Sequence, residues 1–85
     1  MDALTLDGNA IAGLLAEIFA AEMTTATATC AGCGSAEPIG AVRVYRGAGY
    51  VLRCPHCDTV LATIVEDSSE IQVALRGIRT LRVST

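Results

Sequence analysis

The residues of this sequence whose types and spacing suit chemistry are four cysteines, in the segments Cys30-Ala31-Gly32-Cys33-Gly34 and Cys54-Pro55-His56-Cys57-Asp58. Twenty residues separate the two pairs, enough for a hairpin that brings them together. Two Cys-x-x-Cys pairs with about 15 to 20 residues between them form a four-thiolate metal site. In such knuckles the residue after the second cysteine often turns left-handed so that backbone N–H groups point at sulfur. Gly34 does this without steric cost, and Asp58 is among the non-glycine residues that tolerate it best. Pro55 stiffens the second turn.

The residues therefore read as a zinc ribbon in which Cys30, Cys33, Cys54 and Cys57 hold one structural Zn2+ per chain. Three other chemistries compete for the same residues. Cys54-Pro55-His56-Cys57 alone is also the tetrapeptide of strongly oxidising thioredoxin-fold proteins, where a helix N-terminus stabilises the first thiolate. Here the following run Thr59–Val65 favours a strand, and the chain is too short for that βαβ layout. Rubredoxin-type iron takes four thiolates as well. Such domains surround the metal with aromatic residues, and this chain has Phe19, Tyr45 and Tyr50 alone. A small iron or dithiol redox carrier is the first alternative, and a nucleic-acid-binding ribbon is the second.

A closed four-thiolate site leaves no coordination position for water or substrate. The remainder offers little catalytic material: one histidine, no lysine and no glycine-rich phosphate loop. Ser68 and Ser69 fall in a polar turn, and Glu66, Asp67 and Glu70 read as its solvated acids. His56 reads as an exposed side chain at the tip of a knuckle. The expectation is a non-catalytic protein with no small-molecule substrate.

Eighty-five residues bury only about 60% of the surface of the unfolded chain, so the core is marginal and a staple is expected. Asp2 and Asp7 stand where a secretory leader would be basic, which points to metal binding in the cytoplasm rather than disulfides. The longest apolar stretch, Ala10–Ala21, contains Glu17 and falls short of the about 20 residues that span a bilayer. A soluble protein without a membrane segment is expected. The formal charge of −3 becomes −5 when four thiolate charges and one dication are added. Arg43, Arg46 and Arg53 fall beside Tyr45 and Tyr50, but this balance does not support a general affinity for nucleic acid. Residues 1–40 hold five acids and no base, whereas residues 41–85 hold all six arginines against four acids.

The elements that must position the cysteines form a small α+β fold, an N-terminal helix followed by an antiparallel β zinc ribbon. A single domain over 1–85 is expected, with the helix over 8–23 and the ribbon and a C-terminal strand over 24–85. Asp7 or Asn9 caps the helix, whose residues Ile11, Leu14, Leu15, Ile18 and Phe19 recur on one face. Met23 lies at the margin of that face. Thr24–Thr29 is β-prone. Ala41–Arg46, the turn Gly47-Ala48-Gly49 and Tyr50–Arg53 read as one hairpin. Thr59–Val65, the polar turn 66–70 and Ile71–Leu75 read as a second. Around and after Gly77, arginines repeat every three residues at 76, 79 and 82, which fits neither the strand nor the helix period well; the segment Ile78–Val83 is open between the two.

On the far side of the helix, Ala12, Ala16 and Ala20 form an i, i+4 row of small residues beside Gly13, with Glu17 the one charge between Ala10 and Ala21. A surface helix ordinarily carries more polar residues there. That face reads either as a surface for a protein partner or for self-association, or as exposed alanine chosen for helix propensity.

Together, Leu6-Asp7-Gly8-Asn9-Ala10-Ile11-Ala12-Gly13, Glu22-Met23-Thr24, the two knuckles and Val60-Leu61 resemble a family of small actinobacterial zinc-ribbon proteins known as a domain of unknown function. The resemblance implies a zinc-ribbon fold and frequent encoding near flavin-dependent ferredoxin-type reductases and molybdopterin oxidoreductases. It implies no established activity.

Overall fold

The computed structural model describes residues 5–83, so Asp2 and both extremities of the expected 1–85 domain lie outside the described residues. Strand β1 (Thr5–Asp7) leads into a 3-10 turn (Gly8–Ile11) and helix α1 (Ala12–Phe19). Seven strands follow: β2 (Thr27–Cys30), β3 (Ala36–Pro38), β4 (Arg43–Arg46), β5 (Tyr50–Arg53), β6 (Val60–Glu66), β7 (Ile71–Ala74) and β8 (Ile78–Arg82). A second 3-10 turn, Ile39–Ala41, links β3 to β4. They form two antiparallel sheets, one in the order β1-β4-β5-β6-β7 and one in the order β3-β2-β8. The architecture is the expected α+β one.

Both expected hairpins are present. β4 pairs with β5 in the register Val44 to Leu52, and β6 pairs with β7 in the register Ile64 to Val73. The second hairpin closes where the Asp67 N–H donates to the Glu70 carbonyl at 3.0 Å. The Asp67 carboxylate accepts from the Ser69 and Glu70 N–H groups at 2.8 and 2.9 Å, and these bonds hold its pKa below the usual carboxylate range.

The segment after Gly77 is a strand, and a bulge explains its odd period. Cys30 pairs with Ile78 but Thr29 with Thr80, so Arg79 is an extra residue without an opposite number. One inserted residue flips the side-chain phase. Ile78 and Leu81, three apart, thereby fall opposite Cys30 and Ala28, the two buried residues of β2, and both pack against the core. A second bulge in the β5–β6 ladder buries the consecutive residues Leu61 and Ala62 by the same means.

The helix is shorter than the expected 8–23. Its first turn is 3-10, capped by the Asp7 carboxylate accepting from the Ala10 N–H at 3.2 Å. Its last residue is Phe19, because Ala20 takes the left-handed conformation at φ 55° and ψ 33°. The Glu22 carboxylate then accepts from the Thr24 N–H at 2.9 Å and from the Thr24 hydroxyl, building a turn where another helical turn was expected. Met23 still reaches the core, 2% exposed, but from that turn. The apolar stripe faces inward as expected: Ile11 and Leu15 are buried, and Leu14, Ile18 and Phe19 pack against the same core.

That core is one cluster drawing on the helix, β2, β4, β5 and β6, with Val42, Val44 and Ile64 among its most buried side chains. Gly77 joins the two sheets. Its N–H donates to the Leu61 carbonyl at 3.0 Å, and its carbonyl accepts from the Ala31 N–H at 2.8 Å. A Cβ here would stand 1.9 Å from the Val60 carbonyl oxygen, so only glycine lets the chain pass.

An L-residue at a left-handed helix terminus is strained, whereas glycine is not. Ala20→Gly is expected to stabilise the fold by about 0.5–1 kcal/mol. Thermal unfolding followed by circular dichroism should show a Tm rise of about 2–8 °C.

Candidate metal centre

The strands decide which cysteines are buried. Along β2 the inward positions are Ala28 and Cys30, and along β5 the inward Leu52 is followed two residues later by Cys54. Alternation along a strand puts both first cysteines on the core side, where they are 2% and 1% exposed. Cys33 and Cys57 fall in the turns beyond and are exposed.

The two turns are built alike. Each first cysteine accepts at its carbonyl the N–H four residues on, Gly34 at 2.9 Å and Asp58 at 3.0 Å. Its own N–H donates to the carbonyl five residues on, Ser35 and Thr59, both at 2.9 Å. Gly34 and Asp58 carry the left-handed φ values of 79° and 64° that their positions required. The Gly32 N–H points at the Cys30 sulfur at 3.3 Å, and the His56 N–H points at the Cys54 sulfur at 3.4 Å.

All four sulfurs lie within 4.8 Å of one another. Across the knuckles Cys30 Sγ stands 3.6 Å from Cys57 Sγ, and Cys33 Sγ stands 3.7 Å from Cys54 Sγ. A tetrahedral ion with metal–sulfur bonds of about 2.3 Å places its ligands about 3.8 Å apart. The donor set fits such an ion in identity, number and spacing.

Without a cation the cluster is electrostatically uneven. Hydrogen bonds from the Ser35 hydroxyl and N–H lower the Cys33 thiol to about 6. Burial pushes Cys54 up to about 11. Backbone N–H groups, that of Cys33 first, lower Cys30. Four thiolates this close repel one another, so full ionisation requires a bound cation, and metal binding and folding become one equilibrium.

Several contributors escaped the sequence reading. The Thr59 hydroxyl lies 3.0 Å from the Cys57 sulfur, and Ser35 holds the matching position beside Cys33. The signal was present as a hydroxyl residue two places after each second cysteine, in Cys33-Gly34-Ser35 and Cys57-Asp58-Thr59. His56, half-exposed on its knuckle, is also held: its Nε2 lies 2.7 Å from the Glu37 carboxylate on β3. No local pattern links these two residues. Two of the three arginines of the β4–β5 hairpin are likewise engaged at home, while Arg43 is exposed. Arg53 stacks over Tyr45 at 5.6 Å and donates to the Asp58 carbonyl at 3.0 Å, and Arg46 stacks over Tyr50 at 6.0 Å.

Fold and site together define a small two-sheet protein with a four-cysteine cluster able to hold one metal ion. The chain belongs to the Family of unknown function (DUF6510), whose model matches residues 2–85. No curated protein and no solved structure matches it. Among the described residues, no helix is long and apolar enough to cross a membrane.

Because each first cysteine anchors a strand of a different sheet, Cys54→Ser is expected to unfold the whole ribbon rather than one turn. Loss of bound metal, near-UV dichroism and a cooperative melting transition together would show this. A variant that keeps its melting temperature would show that the metal is not structural.

Proposed function

We propose that this chain is a non-catalytic zinc-ribbon interaction module, with one structural Zn2+ per chain and a helix that engages a protein partner. The observation that carries the reading is the closed set of four thiolates, which fills a tetrahedral ion's coordination shell and leaves it no position for a substrate. Zinc suits this set because its filled d shell imposes no geometry of its own and carries no redox chemistry. Both tyrosines are occupied by arginines of the β4–β5 hairpin, which agrees with a structural ion better than with an aromatic-wrapped iron.

The surface offered to a partner is the outward side of α1. Gly13, Ala16 and Ala20 are exposed there, Ala12 is half-buried, and Glu17 is the helix's charge. Small side chains let another backbone approach closely, and a nearly uncharged face is cheap to desolvate. Frequent encoding near oxidoreductases, which the family resemblance implies, suits an oxidoreductase as the partner and this chain as its accessory subunit.

Metal analysis of the purified protein is expected to give one zinc per chain, and X-ray absorption four sulfurs at about 2.3 Å with no lighter ligand. A visible thiolate-to-iron absorption that bleaches on reduction would replace the reading with that of a redox carrier.

Ala16→Arg keeps helix propensity while placing a long cation on the docking face. It is expected to leave zinc content and melting temperature unchanged and to abolish co-purification of the partner from the native host. Unchanged co-purification would remove the helix from the interface.

A further inference from the structure

Strand β7 closes one side of the five-stranded sheet, and among the described residues no strand pairs with its outer edge, which is poorly defended. Proteins blunt such edges with charges, prolines or brevity. The other edges use these devices: β1 and β3 are three residues each, β3 carrying Glu37 and Pro38, and β8 carries Arg79 and Arg82. By contrast Ile71-Gln72-Val73-Ala74 contains neither charge nor proline. Ile71 and Leu75, flanking its centre, are 41% and 40% exposed.

The backbone of this edge has a definite parity. Asp67 donates to the Glu70 carbonyl at the mouth of the hairpin, and the ladder continues through Val65 to Gln72 and Thr63 to Ala74. Hydrogen-bonded and non-hydrogen-bonded pairs alternate along an antiparallel ladder. Glu70, Gln72 and Ala74 therefore turn their N–H and carbonyl groups toward β6, and those of Ile71 and Val73 point out of the sheet. Any strand added antiparallel must bond through the odd-numbered residues.

We propose that a second copy of this chain pairs with this edge, β7 against β7, about a two-fold axis through Val73. This register satisfies the parity and is chemically self-complementary. Val73 faces its own copy, Ile71 faces Leu75 of the second copy, Gln72 faces Ala74, and Glu70 faces Arg76. Each off-axis pair occurs twice, as an isologous interface requires. Ile71, Val73 and Leu75 share the sheet face of Ile64, a core residue, so pairing continues the apolar face across the axis. Glu70 is poised at the rim, where the Gln72 amide donates to its carboxylate at 2.9 Å. Within one chain Glu70 and Arg76 flank β7 at opposite ends, separated by its extended residues Ile71–Ala74, about 13 Å of strand, and no ion pair joins them among the described residues. The complementarity is available to a second copy, and it uses a surface separate from the helix face invoked above.

The test is sedimentation of the zinc-loaded full chain from micromolar to millimolar concentration. A monomer–dimer equilibrium is expected, with amide exchange at Ile71 and Val73 slowing as concentration rises. Glu70→Arg alone or Arg76→Glu alone is expected to raise the dimer Kd about tenfold, since two attractive pairs become repulsive. The double variant should restore it to within about twofold of the parent. Both side chains are exposed, and zinc content and melting temperature verify that each variant is folded. A chain that stays monomeric at millimolar concentration overturns the proposal, as does a dimer indifferent to both reversals. A dimer lost on Ala16→Arg but not on Glu70→Arg overturns it while leaving the helix reading intact.

Discussion

Four sulfurs held within 4.8 Å of one another are the point at which this chain's two sheets are tied. Cys30 ends a strand of the three-stranded sheet, and Cys54 follows directly on a strand of the five-stranded one. A chain of this length has a small core, so a second join between its two sheets adds to what packing supplies. The four-cysteine cluster brings the sheets together at one place, and the core from Ile11 to Ile64 does so elsewhere. Gly77 threads the gap between them, bonded to Leu61 on one side and Ala31 on the other. Knuckle, glycine and core form one connected arrangement. The loss of a ligand therefore acts on both sheets at once.

The site was legible in the sequence because its signals are local. Cys-x-x-Cys sets the turn, the next residue sets the left-handed φ, and Gly34 and Asp58 both adopt it. The two hairpins were legible for the same reason, each being a pair of apolar runs about a polar or glycine-rich turn. What escaped was set by distant partners. Strand β1 exists because Leu6 pairs with Val44, and β3 because Glu37 pairs with Ala28. The period of three after Gly77 arises from a bulge against β2, which no reading of residues 78–83 by themselves reveals. The early end of the helix was hidden because Ala20 is a good helix former; the Glu22–Thr24 turn and the pull of Met23 into the core overrode its propensity.

The uneven division of charge acquires a physical sense. The arginines of the β4–β5 hairpin are partly spent within the fold, on tyrosine faces and on the Asp58 carbonyl. The acidic first half contributes Asp7 and Glu22 as turn-forming carboxylates and Glu37 as the partner of His56. Much of the formal charge thus does local structural duty, and only a part faces solvent unpaired. The sparsely charged regions are the outer side of α1 and β7 of the five-stranded sheet.

The pairing of β2 with β8 joins the early part of the chain to its far end, Ala28 to Leu81. Cys30 is the last residue of β2 and the other three cysteines lie between β2 and β8 in the chain, so a chain emerging from the ribosome presents both knuckles before β8 exists. Ion capture can come first, and it shortens the loop that β8 must close. Closing a long loop is slow and entropically costly. A metal ion held by the four cysteines would reduce that cost for the last strand to arrive. The order of the segments thus makes β8 the last strand available for pairing, after every cysteine is already in place.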